Sequence, residues 1–112
     1  MGYFTTFAVT AQENGKEIDF SDSMKHELAK ITQEIDSTDI DELAEGYFNS
    51  KWYSYDSDVK LLSEKFPNIV FTVEGQGEDS DDLWKHYFFN GKSQFAKAQI
   101  VYPEFDEKLL EE

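Results

Sequence analysis

The chain has 112 residues, with 24 acidic side chains against 10 basic ones, a formal net charge of −14 and no cysteine. All the basic residues are lysine, so the forked guanidinium that grips phosphate is missing. The lack of cysteine excludes disulfides and thiolate metal sites, and the shortage of cations argues against direct binding of nucleic acid or of an anionic membrane.

Aromatic residues make up 16% and hydrophobic residues 39%, which fits one packed domain and not a disordered acidic chain. Residues 3–12 (YFTTFAVTAQ) are β-branched, aromatic and small, and predict a strand. Asn14-Gly15 predicts a tight hairpin turn into a short return strand over 16–20, with Ile18 and Phe20 on one face. Over 21–36, Met24, Leu28, Ile31 and Ile35 fall at helical spacing behind a Ser21 cap. Residues 37–45 (STDIDELAE) read as a short acidic turn of helix ending at Gly46. A strand is expected over 46–53. A second helix follows, capped by Asp56, with Val59, Leu62 and Phe66 inward, and Pro67 stops it.

Ile69 to Val73 predicts a central strand, and 74–82 (EGQGEDSDD) a turn or loop. Residues 83–102 predict a hairpin across Asn90-Gly91, and the acidic tail after Pro103 adds one helical turn. The expected fold class is α+β, a single domain over 1–112. It has two layers, with about five mostly antiparallel strands and two helices on one face. Met1 to Ala11 carries neither a basic n-region nor a long apolar run, and no stretch approaches the roughly 18 apolar residues of a span. A cytoplasmic protein is expected.

Chemical motifs are few. His26 falls on the polar side of the first helix, and His86 shares a strand face with Trp84 and Phe88. No paired histidine spacing exists for zinc, so no metal and no cofactor are expected. Gly75-Gln76-Gly77 lacks the third glycine and helix of a dinucleotide loop, and Glu78, Asp79, Asp81 and Asp82 would repel phosphate. Those acids supply oxygen donors for Ca²⁺ but not the twelve-residue EF-hand pattern. No nucleophile elbow occurs, and among 24 acids no carboxylate pair stands out. The chain is read as an interaction protein and not as an enzyme.

The remaining signal is the acidity. Rows of carboxylates either solubilise a surface or imitate phosphates and occupy a cationic cleft. They cluster at Asp36, Asp39, Asp41, Glu42 and Glu45; at Glu74, Glu78, Asp79, Asp81 and Asp82; and at Glu104, Asp106, Glu107, Glu111 and Glu112. The expected partner-binding residues are Glu74, Glu78, Asp79, Asp81 and Asp82 with the aromatics Trp84, Tyr53 and Tyr55. The aromatics supply short-range affinity and the acids attraction.

Residues 50–92 carry a Trp-containing strand (Trp52), a helix ending in Ser63 to Pro67, an aromatic strand (Phe71) and a Gly-Glu turn (Gly75 to Glu78). This pattern resembles a group of small phage and mobile-element proteins with a ferredoxin-like α+β domain. The resemblance covers under half of the chain and supplies no catalytic residues. It implies a mobile-element origin and life in a bacterial host cell. By analogy with phage inhibitors, it implies an inhibitor of the anti-CRISPR or anti-restriction type, a DNA mimic that binds a basic nucleic-acid-handling enzyme such as a CRISPR nuclease. Two alternatives remain open: an immunity or antitoxin protein that neutralises a basic toxin, and a Ca²⁺- or small-ligand-binding module.

Overall fold

The computed structural model describes residues 4–32, 37–45, 48–79, 81–99 and 101–111. The chain opens with β1 (Thr5–Glu13) and turns through Asn14-Gly15 into β2 (Lys16–Ile18). Both turn residues have positive φ, 54° and 78°, as a type I′ turn requires. Helix α1 (Asp22–Ile31) begins where Ser21 Oγ accepts a hydrogen bond from the Met24 amide at 3.2 Å. That satisfies one of the amide donors a helix start leaves open. The helix stops earlier than its periodicity predicts, because Thr32 is extended and its N–H closes back on the Leu28 carbonyl. Ile35 and Asp36 lie outside the described residues.

The stretch read as one acidic turn is a full helix, α2 (Ser37–Glu45). Ile40 and Leu43, three residues apart, are buried, and the helix seals against β1 and β3 (Phe48–Ser50). Tertiary packing of this apolar side holds a helix too short to stand alone. Gly46, its expected stop, is outside the described residues. Helix α3 (Tyr55–Lys65) ends at Phe66, which Pro67 holds out of helical geometry. Then come β4 (Val70–Gln76), β5 (Leu83–Phe89) and β6 (Lys92–Lys97), with a 3₁₀ turn at Glu107–Leu109 in the tail.

The described residues thus form a six-stranded sheet and three α-helices, one strand and one helix more than expected. The sheet order is β2-β1-β4-β5-β6, with β3 beside the first half of β1, and every pairing is antiparallel. The fold is α+β. Two further expectations are corrected. Glu74, Gly75 and Gln76 are strand and not loop, because β4 keeps pairing with β1 and β5 to Gln76. The last strand ends at Lys97, well short of Tyr102, once Ala98 has donated to the Leu83 carbonyl.

Side chains alternate across the sheet, so Phe7, Val9, Phe71, Val73 and Phe88 share one buried face. Helices α2 and α3 pack on it, and α1 packs against both. Lys25 of α1 reaches Asp41 of α2 at 2.9 Å. The opposite face carries small and polar residues in register: Ala8, Glu74, Lys85 and Ala96 in one row, Thr10, Thr72, Tyr87 and Gln94 in the next.

Between β3 and α3 lies a buried polar knot. Trp52 is fully buried, and its Nε1–H donates to Asp58 Oδ2 at 2.8 Å. Ser54 Oγ donates to the same oxygen at 2.8 Å. Asp56, expected as the cap, lies inside the first turn and accepts from the Ser57 amide, while Ser54 stands at the cap position. The acid that matters to packing is therefore Asp58, one turn in, because only it points at the indole. Replacing Asp58 with Ala leaves a buried indole N–H without its acceptor, at a cost of about 1–3 kcal/mol. Urea denaturation is expected to read that loss, and Asp58→Asn, which keeps an acceptor oxygen, is expected to lose less.

Candidate functional site

The elements bring one end of the sheet together from five directions. Register places the start of β1, the end of β3, the end of β4, the start of β5 and the end of β6 side by side. Two of the features singled out from sequence meet there: the acidic β4–β5 connection and an aromatic ledge.

The connection is a closed loop. Gly77 N–H donates to the Asp82 carbonyl at 2.8 Å, and Asp82 N–H donates to the Asp79 carbonyl at 3.0 Å. Glu78 turns back to accept from the Phe4 amide, which fastens the loop to the start of β1. Lys51 lies over the Phe4 ring, 4.9 Å from its centre, beside the loop's anchor. Glu78, Asp79 and Asp81 are exposed, and Asp82 is half-buried. Glu74 stands apart from them. It sits on the open face of β4 and reaches Lys85 at 3.3 Å.

The ledge is built on Tyr55, the first residue of α3. Its ring stacks on Trp84 at 4.9 Å between centres, 24° from parallel, and it touches Phe7 at 5.6 Å. Trp84 also meets Phe95 of β6 at 5.7 Å. Such pairs contribute roughly 0.5–1.5 kcal/mol each beyond the area they bury. Trp84 and Tyr55 are half-buried, whereas Tyr53 and Phe95 are 61% and 54% exposed. Tyr53, Tyr55 and Trp84 line a small cavity of about 140 Å³ with Lys51 and Trp52. Of the eight residues expected to bind a partner, the structure gathers these three aromatics and the acids of the 78–82 loop at one end, and it sets Glu74 aside.

Three residues of this end were not expected from sequence. Phe95 shares the ledge because it lies opposite His86 across the β5–β6 pairing. The Asn90-Gly91 hairpin fixes that register, so this neighbour was legible in principle. Lys51 and Phe4 meet only through tertiary folding. The role of Gly75 was also missed. It lies opposite Trp84, and a Cβ added there would overlap the indole. This glycine therefore belongs to the ledge and not to a turn.

The Tyr55 hydroxyl and His86 Nδ1 share a hydrogen bond of 3.0 Å. Burial, with the neighbouring Asp56 charge, pushes the Tyr55 hydroxyl up to about 12. Burial also lowers His86 below its ordinary value, partly offset by Asp56. Among the described residues, no group of three His, Cys, Asp or Glu side chains is arranged to hold a metal ion, and no helix is long and apolar enough to cross a membrane.

Compared with known proteins, the chain matches no family model, no curated protein and no solved structure.

Two outcomes test this geometry. Gly75→Ala is expected to displace the Trp84 ring at about 1–3 kcal/mol of stability, with a shift in tryptophan fluorescence. The neutral Tyr55–His86 pair also sets a pH window. A lowered histidine means that the unfolded chain takes up the proton first, so the pair's stabilisation fades as pH falls below 6.5. A raised tyrosine means that its share is complete below pH 10.0 and fades towards about 12. Melting curves of the parent and of His86→Phe should diverge in slope on the acid side, and those of Tyr55→Phe on the alkaline side.

Proposed function

We propose that this chain is a small acidic inhibitor of the phage type, acting in the cytoplasm of a bacterial host, that binds a basic surface on a nucleic-acid-handling defence enzyme. A CRISPR nuclease is the leading target, and the docking surface is the acidic and aromatic end of the sheet. The protein acts by occupying a site and catalyses nothing itself.

The observation that carries this reading is the closed 77–82 loop beside the Tyr53, Tyr55 and Trp84 ledge. The loop backbone is closed by its own hydrogen bonds, and the Glu78 carboxylate is tied to the Phe4 amide, so the loop that carries the acids is shaped before a partner arrives. Preset negative charges next to partly exposed rings suit a cationic cleft. The charges speed and orient encounter, and the rings supply contact area. The formal charge of −14 extends the attraction beyond the loop. The ferredoxin-like relation is part of the same reading. It is supported by helices packed on one face of an antiparallel sheet.

Replacing Glu78, Asp79, Asp81 and Asp82 together with Ser tests it. Binding to a purified CRISPR nuclease is followed by titration calorimetry across a salt series, with circular dichroism to check the fold. The expected result is weaker binding and a flatter salt dependence with the spectrum unchanged. Affinity and salt slope equal to those of the parent would remove the loop from the docking surface. Added duplex DNA is expected to compete with the parent protein for the nuclease.

A further inference from the structure

The two edges of the sheet are built differently. One is divided between β2 and β3, each of three residues, laid end to end along β1. Strands that short are a common way to blunt an edge. The other edge is β6, six residues long, and no described strand pairs on its outer side. It holds no proline or glycine, and its register with β5 runs without a bulge from Lys92 to Lys97. Its two charged side chains stand at its ends, and Ser93, Gln94, Phe95 and Ala96 between them are uncharged.

Register fixes which backbone groups of β6 are free. Ala98 N–H donates to the Leu83 carbonyl at 2.9 Å. Opposed pairs in an antiparallel ladder alternate between bonded and open, so Ala96, Gln94 and Lys92 turn their N–H and C=O groups to β5 as Ala98 does. Those of Ser93, Phe95 and Lys97 point away from the sheet. The side chains of these three residues lie on the helix face, in the rows of Phe88, His86 and Trp84. Phe95 is more than half exposed at the middle of the strand. Glu64 of α3 reaches the hairpin tip on the same face, where its Cγ is 2.9 Å from the place a Gly91 Cβ would take. Neither Glu64 nor Lys97 has an ion-pair partner among the described residues.

We propose that β6 pairs antiparallel with β6 of a second copy about a twofold axis at Phe95, joining two sheets into one, and that Lys97 of each copy reaches Glu64 of the other. What selects a second copy is self-complementarity. With Phe95 facing its own counterpart, Ser93 of each copy faces Lys97 of the other, and about six hydrogen bonds use all the outward groups. The two Phe95 rings form a favourable cross-strand aromatic pair. Lys92 and Lys97 point to opposite faces, so a twofold pairing never sets one against the other. A Lys97 opposite Ser93 stands two residues, about 7 Å along the strand, from Gly91 of the other copy. The lysine side chain spans that gap and brings its ammonium to the Glu64 carboxylate, once in each direction. Charge also favours this edge. Residues 83–103 contain no Asp or Glu, in a chain that has 24. Two copies of net charge −14 meet with least repulsion where the acids are absent. The inference goes beyond the proposed inhibitor role and stands without it, since β6 shares only Phe95 with the ledge.

Sedimentation velocity of the intact chain over a wide concentration range, at about 0.15 M salt, reads the association, and amide hydrogen exchange reads the interface. A concentration-dependent dimer is expected. The amides of Ser93, Phe95 and Lys97 should slow as it forms, while those of Gln94 and Ala96 are slow throughout. Ser93→Pro removes one outward N–H from each copy and leaves the bonds to β5 in place. It is expected to weaken the dimer roughly tenfold with the circular dichroism spectrum unchanged. Lys97→Glu and Glu64→Lys are each expected to weaken it, and the two together in one chain to restore it with the ion pair reversed. Net charge alone acts the other way for Glu64→Lys, which makes the chain less negative. A chain that stays monomeric at every concentration overturns the proposal. So does a dimer that Ser93→Pro leaves at full strength, or one whose outward amides exchange as in the monomer, because its interface lies elsewhere. A dimer that Glu64→Lys tightens, and that the double substitution does not restore, overturns the register and the proposal with it.

Discussion

The hydrogen bond from Trp52 to Asp58 sets the geometry on which the candidate site depends. A buried tryptophan contributes a large apolar surface but brings one N–H that must find an acceptor. A buried carboxylate is costly unless several donors surround it. Here each requirement meets the other, and Ser54 supplies a further donor to the acid. Because Trp52 follows β3 and Asp58 lies in the first turns of α3, the bond fixes how the chain passes from sheet to helix. Tyr55, caught between them in sequence, is thereby aimed at Trp84.

From this follows a division of labour between the two faces of the sheet. The helix side is aromatic and dry, with Phe71 and Val73 fully buried at its centre. The other side is built mostly from Ala, Thr and Gln, with Tyr87, Leu83 and a Glu74–Lys85 pair, a composition that tolerates water. Much of the negative charge is gathered away from both, in the β4–β5 loop, in the tail and along α2. Acids crowded at loop and terminus repel one another into solvent without straining the core.

Much of the fold was legible in the residues. Both Asn-Gly pairs, the Ser21 cap, the inward stripe of α3 and the β-branched run of β4 follow from local chemistry, and the structure has them. What escaped was tertiary. Asp56 and Asp58 are equally good first-turn acids, and only the position of Trp52 selects the second. Gly75 in a Gly-Gln-Gly run reads as a turn until Trp84 of another strand is laid over it. Helix α2 carries a weak local signal, and its helix is held by the sheet beneath Ile40 and Leu43. In the site, the acidic loop and the three aromatics were visible as types. Their assembly at one end depended on the β1–β4 and β5–β6 registers, which set Glu74 aside and brought in Phe95.

The tie between Ser63 and Gly91 has a consequence for the order in which the molecule assembles. Ser63 of α3 accepts from the Gly91 amide at 2.9 Å while donating to the Lys60 carbonyl at 2.7 Å, so the tip of the β5–β6 hairpin is fastened to the helix. Helix, β4, β5 and β6 are consecutive in the chain and close only short loops on one another. Strand β1, by contrast, must cross loops of roughly 60 residues to reach β4, and the entropy of closing them falls on that step. Closing the carboxy-terminal half therefore costs less loop entropy than adding β1. Without that pairing one edge of β4 is open, and the carboxylates of the adjoining loop disfavour edge-to-edge pairing with another chain.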